Sequence, residues 1–123
     1  MSYIDGFILA VPKANKNKFI QHAKTAGAVF MEWGAVRVLE CWEDDVPDGK
    51  VTDFRRAVQA TGDEAVVFSW IEWPDKATRD AGMEKMKTNM KSDPRLDPQT
   101  NPMPFDGIRV VFGGFAPVVA LEA

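Results

Sequence analysis

The sequence predicts an α+β domain of the ferredoxin-like type, with the element order βαββαβ and a short helical insertion between the second and third strands. Strand-like and helix-like patterns follow one another in the order of a split βαβ unit. The stretch Val66–Trp73 carries apolar side chains at both of its alternating positions, so both faces of the sheet are apolar. Because two helices cover only one face, we expect a second copy of the chain to cover the other.

The first half of the chain begins with a strand and a helix. Tyr3–Val11 is mostly apolar on both alternating sides. Pro12 closes this strand and can open a helix, because a missing N–H costs nothing in the first helical turn. Apolar residues recur at helical spacing from Lys13 to about Phe30. Gly34 fits the position just after the end of this helix.

A second strand, a turn and the insertion follow. Ala35–Glu43 alternates as a strand, and Asp44–Lys50 has the proline and glycine of a turn. Val51–Ala60 has apolar residues three and four positions apart, which favours a short helix with Thr52 or Asp53 as its N-cap. An extended segment is the alternative.

The second half predicts a strand, a helix and a final strand. Glu64–Trp73 is the third strand, and a second main helix runs from Pro74-Asp75 to about Met90. Ser92–Phe105 contains four prolines and is either a functional cover or a passive crossover. Gly107–Phe115 is the fourth strand, and its Gly-Gly pair indicates a bulge or a close backbone approach.

Composition limits the classes of function. The 123 residues fit one domain, 1–123. A net charge of −3 disfavours nucleic-acid binding, which needs clustered Lys and Arg. The single cysteine, Cys41, excludes an intramolecular disulfide and suits a reducing compartment. We find no signal-peptide pattern and no apolar run of about 20 residues, so we expect a cytoplasmic protein that does not interact with membranes.

The familiar motifs for metals, cofactors and nucleophiles do not occur. The acidic turn Asp44–Asp48 fails as a calcium loop, because Val46 and Arg55 stand where that loop needs carboxylates. Cys41 and His22 are the only candidates for a Cys–His pair, and we interpret their presence as chance. There is no glycine-rich phosphate loop and no flavin or nicotinamide fingerprint. We therefore expect neither a metal nor a cofactor.

Charged residues inside otherwise apolar strands are the remaining signal for a site. They indicate either sheet edges or a pocket in which a few polar groups converge among aromatic walls. In the second interpretation Arg37 and Arg55 would hold an anionic ligand, while Glu40 and Asp106 would accept a proton. The tryptophans could equally fill a core or a dimer interface. The predicted ligand-binding residues are Arg37, Glu40, Trp42, Phe54, Arg55, Trp70, Phe105 and Asp106.

Short segments along nearly the whole chain carry a family resemblance. They are Tyr3–Phe7, Glu40–Trp42, Asp45–Arg55, Val66–Trp70, Arg79–Ala81, Asp93–Arg95, Met103–Gly107 and Gly113–Phe115. In these segments the chain resembles the YbaA-like family of uncharacterised bacterial proteins, a domain of unknown function in the dimeric α/β-barrel superfamily. The resemblance implies a homodimer with paired sheets, and it implies no particular activity.

Three hypotheses for function follow. The superfamily that the chain resembles includes monooxygenases, dehydratases and isomerases of small aromatic or polyketide-like substrates, which implies a small-molecule binding protein or a cofactor-independent enzyme. The alternative is a non-catalytic assembly or stress-related module whose apolar surface serves only association. RNA binding is the third hypothesis, and the acidic composition disfavours it.

Overall fold

A computed structural model describes residues 1–123 and shows one four-stranded antiparallel sheet in the order β2-β3-β1-β4. This order confirms the predicted ferredoxin-like α+β architecture. The elements are β1 Tyr3–Pro12, α1 Lys16–Glu32, β2 Arg37–Trp42, α2 Phe54–Ala57, β3 Glu64–Trp73, α3 Lys76–Asn89 and β4 Val111–Phe115. None of the helices combines the length and the apolar character that crossing a lipid bilayer requires.

The helix boundaries follow from capping chemistry. The side chain of Asp53 accepts a hydrogen bond from the Arg56 N–H at 2.7 Å and begins α2, which confirms the short helix in the insertion. Asp75 does the same for the Thr78 N–H at the start of α3. Gly34 follows α1 with φ of +107°, a left-handed conformation that favours glycine.

The fourth strand is shorter than predicted. Gly107–Arg109 forms a 3-10 turn, because the Asp106 carboxylate accepts from the Ile108 N–H and pairs with the Arg109 guanidinium. The strand begins only at Val111.

The predicted close backbone approach is found within β4. At Gly114 a β-carbon would lie 2.5 Å from the Tyr3 hydroxyl oxygen and 2.9 Å from Arg79 Nη2. The register with β1 continues through Gly113 and Gly114 one residue for one, so this pair marks a close approach and not a bulge.

The two faces of the sheet are covered differently. Helices α1 and α3 cover the face that carries Leu9, Val11, Val67 and Trp73, all of which are buried. We call this the helix-covered face. The other face, the open face, carries apolar residues that no helix of the protomer fully covers. They are Ile4, Ile8, Phe68, Trp70, Val111 and Phe115.

The insertion covers one end of the open face. Val58, just after α2, is buried against Ala10 and Val66. A second copy of the chain was expected to cover this face alone, and the structure corrects that expectation, because the insertion supplies part of the cover. The rest stays exposed, including 41% of Phe68 and 61% of Phe115.

Candidate functional site

A cavity of about 290 Å³ lies between α1, the helix-covered face and the segment 103–110. We call it the inner cavity. Its walls are mostly apolar, and the Phe105 ring meets Phe19 edge to face at 6.0 Å between ring centroids. Asn15 Nδ2 donates to the Pro104 carbonyl at 3.0 Å and ties the proline-rich segment to the start of α1. Met103 and Phe105, at the end of the proline-rich segment, therefore line one side of the cavity.

A second hollow, the outer groove, runs between α1 and the edge strand β2 with a volume of about 600 Å³. It shares Phe19, Ala23, Gly27, Val38 and Glu40 with the inner cavity, so the two hollows are adjacent. Three cations, Lys16, Lys24 and Arg37, line the outer groove and are absent from the inner cavity. A ligand could therefore place an apolar body inside and an anionic group outside.

Glycine at position 27 helps to open this space. A β-carbon there would lie 3.6 Å from Val38 Cγ1, an ordinary contact distance. Alanine would thus fit, whereas a longer side chain would project into the space between α1 and β2.

Glu40 is the one carboxylate that lines either hollow. It stands on β2 directly opposite Ser69 of β3, which is 3% exposed. Burial of the carboxyl among the cavity walls raises the pKa of Glu40, and a hydrogen bond with Ser69 only partly offsets this. The residue as a whole is nonetheless exposed to water, on the side of the outer groove. The cations of the outer groove form no ion pair with Glu40, and none of them contributes to the shift of its pKa.

His22 brings a nitrogen base to the same cavity. Its Nδ1 lies 3.0 Å from Asn101 Oδ1, and Asn101 Nδ2 donates to the Arg95 carbonyl at 2.7 Å. The second bond fixes which end of the amide faces the ring. Because an amide oxygen only accepts, the His22 Nδ1 carries the hydrogen and the neutral ring keeps its lone pair on Nε2. The ring packs edge to face on Phe105 at 5.8 Å.

His22 and Asn101 are not among the predicted ligand-binding residues. The two residues are 79 positions apart, and no spacing rule joins a helix residue to a residue of a proline-rich segment at that separation. The fact that His22 is the one histidine in the chain was the only available signal.

Four of the eight predicted ligand-binding residues line the two hollows. They are Arg37, Glu40, Trp42 and Phe105. The Trp42 ring packs on Phe19 at 6.3 Å, and Lys16 Nζ lies 5.2 Å from its centroid. Cation and ring thus form one wall of the outer groove.

The other four predicted residues lie elsewhere, so the eight do not form one cluster. Phe54 and Trp70 both pack on Phe68, at the open face. Arg55 pairs with Glu43 at 2.7 Å and donates to two backbone carbonyls, which holds the insertion against β3. Asp106 caps the 3-10 turn, as described above.

The remaining sequence candidates are also separated. Cys41 is exposed and stands opposite Phe68 on the open face, whereas His22 lies on α1 beyond the helix-covered face. The sheet therefore stands between these two residues. No group of three or more His, Cys, Asp or Glu residues is placed to hold a metal ion.

Comparison with known proteins gives a family and a fold. Residues 2–107 match the family described as "Protein of unknown function (DUF1428)". The chain is 51% identical over 119 residues to the uncharacterized protein YbaA of Escherichia coli strain K12, covering 97% of this chain and 98% of that protein. YbaA of Shigella flexneri shows the same identity and coverage.

A solved structure supports the architecture. A dimeric ferredoxin-like protein from an uncultured marine organism aligns with a TM-score of 0.56, covering 99% of this chain and 98% of that one. Its sequence is 12% identical, so this likeness bears on the fold alone.

Proposed function

The chain belongs to the DUF1428 family of proteins of unknown function, and from that premise we propose that it is a homodimeric binding protein for a small, largely apolar anion. The ligand occupies the inner cavity with its apolar body and the outer groove with its anionic group. The observation that carries this proposal is the adjacency of a mostly apolar cavity and a groove lined by three cations, with five lining residues in common.

The composition of the walls supports a specific ligand site. Binding sites for small molecules are concave and mostly apolar, with a few polar groups that fix orientation. In the inner cavity the polar side chains are His22, Glu40 and Ser69, and the other walls are apolar. Lys16, Lys24 and Arg37 supply attraction for an anion at the open end.

The open face supports the dimer. Val111 is 46% exposed and Phe115 is 61% exposed, and the chain continues into a tail in which Val118 and Leu121 are more than 90% exposed. A contiguous apolar surface of this kind marks an interface, and a self-complementary face closes a two-fold dimer. The ferredoxin-like protein with the same fold is described as dimeric. In such a dimer the helix layer, and with it the ligand site, stays outside the interface.

The binding proposal can be tested with a fluorescent apolar anion, 8-anilinonaphthalene-1-sulfonate, and two variants at one position. Gly27→Ala keeps the cavity open, whereas Gly27→Leu fills the space beside Val38. We expect the wild type and Gly27→Ala to bind the dye with micromolar affinity, and Gly27→Leu to lose at least about tenfold in affinity. Circular dichroism and the oligomeric state serve as controls for folding. Equal dye affinity in all three proteins would overturn the proposed location.

The dimer can be tested by placing a charge on the open face. Phe68→Lys should convert the dimer to a monomer in sedimentation equilibrium, because an unpaired ammonium group would be buried between two sheets. Met90→Lys is the matched control, since Met90 is similarly exposed but ends α3 in the helix layer. A wild type that stays monomeric at high micromolar concentration would contradict the dimer.

A non-catalytic assembly module remains the second candidate function, and the exposed open face is the observation that favours it. The two experiments separate the candidates. Assembly alone would be favoured by two results together: Phe68→Lys breaks the dimer, and Gly27→Leu leaves the dye affinity unchanged.

A further inference from the structure

We propose, resting on the binding function above, that the inner cavity is a proton-transfer site for small carbonyl compounds. His22 takes a proton from the carbon next to the ligand's carbonyl group, and Glu40 gives a proton to the carbonyl oxygen. The substrate class is a 2-oxo acid with an apolar side chain, and the reaction is keto–enol tautomerisation.

His22 has the geometry of a positioned base. Two hydrogen bonds in series fix the tautomer of the ring. The Asn101 amide donates to the Arg95 carbonyl and accepts from His22 Nδ1, so the neutral ring keeps its lone pair on Nε2. Arg95 is itself anchored, because its guanidinium pairs with Asp93 at 2.8 Å and also with Glu32 of α1. Edge-to-face packing on Phe105 restricts ring rotation further. Asn101 is in this account a positioning residue, and His22 is the group that touches the substrate.

Glu40 has the surroundings of a proton donor. It lines the same cavity as His22, opposite Ser69, and it pairs with no cation. Burial raises its pKa, so the protonated carboxyl group persists to higher pH than it would in water. Acid–base catalysis needs one group that can accept a proton and another that can donate one. In the inner cavity the neutral His22 ring offers the lone pair, and Glu40 offers the proton.

The cations of the outer groove select the substrate class. A 2-oxo acid carries a carboxylate directly beside its carbonyl group, and Lys16, Lys24 and Arg37 line the mouth next to Glu40. An apolar side chain would then point among Phe19, Phe105 and Ile71 in the inner cavity.

The step balances without any further reactant. The C–H bond next to the carbonyl breaks, its proton passes to His22 Nε2, and its electron pair forms the C=C bond of the enol. The π pair of the C=O bond takes the Glu40 proton and becomes the enol O–H bond. His22 is then an imidazolium and Glu40 a carboxylate, and proton exchange through water in the outer groove restores both.

The tautomer can be measured directly, because the chain contains one histidine. Long-range proton–nitrogen NMR spectra should show hydrogen on Nδ1 and a lone pair on Nε2 in the neutral ring. Asn101→Ala should shift the population toward the Nε2–H form, and Asn101→Asp, which keeps an acceptor oxygen, should restore the wild-type tautomer. A wild-type ring with its hydrogen on Nε2 would overturn the role given to His22.

The chemistry can be tested with phenylpyruvate, whose enol absorbs in the near ultraviolet. We expect the wild type to accelerate tautomerisation and His22→Gln and Glu40→Gln each to lower kcat by at least about 100-fold, with little change in KM. Asn101→Ala should lower kcat and Asn101→Asp should restore part of it. Lys87→Gln, an exposed substitution on α3, is the control that should leave the rate unchanged.

The outcomes distinguish this inference from the binding function. Phenylpyruvate that binds, as judged by displacement of the fluorescent dye, without any acceleration would overturn the proton-transfer role and leave the binding function intact. If the dye still binds and Gly27→Leu still weakens it, but phenylpyruvate does not bind, the assigned substrate class would be overturned. Loss of dye binding as well would remove the proposed function itself.

Discussion

Two carboxylates on the helix-covered face of the sheet have opposite surroundings. Asp5 of β1 is 4% exposed and accepts hydrogen bonds from Trp73 Nε1 at 2.9 Å and from Arg79 Nη2 at 2.9 Å. Glu40 of β2 has one hydroxyl partner and no cation. The side chains share a functional group and a face, so their neighbours decide what each can do.

The partners of each carboxylate indicate that Asp5 is structural and that Glu40 is available for chemistry. The Asp5–Arg79 pair ties β1 to α3, the Trp73 indole adds β3, and the Arg79 guanidinium lies 5.1 Å from the Tyr3 ring centroid. A buried charge that is fully paired stabilises one arrangement of its neighbours. A carboxylate without a charged partner beside an open cavity has free hydrogen-bonding capacity that a ligand can use.

The largest effect should come from breaking the Asp5 network. Arg79→Met removes the cation and leaves the Asp5 carboxylate buried with only the Trp73 indole as donor. We expect the free energy of unfolding to fall by about 3 kcal/mol, because an uncompensated buried charge is costly. Urea denaturation at one fixed protein concentration measures this, since the stability of a dimer depends on concentration.

The control for this variant is an exposed ion pair on the same helix. Lys76→Met removes the partner of Asp80, at a site where both side chains are largely exposed. Its cost should be much smaller than that of Arg79→Met, because water screens an exposed ion pair. Equal losses in the two variants would mean that burial does not distinguish Asp5 from a surface carboxylate.

Much of the fold could be predicted because the strands carry their pattern locally. Alternation located β1 and β3 to within a residue or two, and element order then gave the sheet. The start of the fourth strand could not be located, because the Asp106 cap and its Arg109 pair override the strand pattern over three residues. Arg109 also donates a hydrogen bond to Glu64, which lies 45 positions away, so local sequence does not show this contact.

The candidate site could be predicted only in part. Alternation shows that Glu40 and Trp42 share one side of β2, and that Phe68 and Trp70 share one side of β3. It does not show which of these sides the helices cover, because that depends on the register between strands. Trp70 was therefore grouped with Trp42, although cross-strand pairing places it opposite Leu39, on the open face.

A third carboxylate, Glu64, tests whether the hydrogen-bond partners of a carboxylate decide if it stabilises the fold. Glu64 accepts from Arg109 Nη2 at 2.6 Å and from the Thr61 N–H at 2.9 Å, and the Arg109 hydrogen bond is the main cause that lowers the pKa of Glu64 to about 2. Since the folded-state pKa lies below the unfolded value, this stabilisation is present above about pH 5 and is lost as pH falls toward 2.

We expect Glu64→Gln to lower stability by about 1–2 kcal/mol at pH 7 and to lose most of this penalty as pH falls to 2. This is less than the full pKa shift would give, because Arg109 is partly exposed to water. Urea denaturation across this pH range measures it. A Glu64→Gln penalty that is constant with pH would show that the loss comes from packing and not from the ionised pair.

The smallest effect should come from Glu40 and should have the opposite sign. Because burial raises the pKa of Glu40, ionisation opposes folding, and this cost appears as pH rises through the folded-state pKa. Glu40→Gln does not ionise, so it should be more stable than the wild type at pH 8 and equal to it at pH 4. The gain should be less than about 1 kcal/mol, because Glu40 is exposed and water screens its charge. Glu84→Gln, exposed on α3, should show no such pH-dependent gain. A loss of stability in Glu40→Gln at pH 8 would place Glu40 with Asp5 among the structural carboxylates and would remove it from the ligand site.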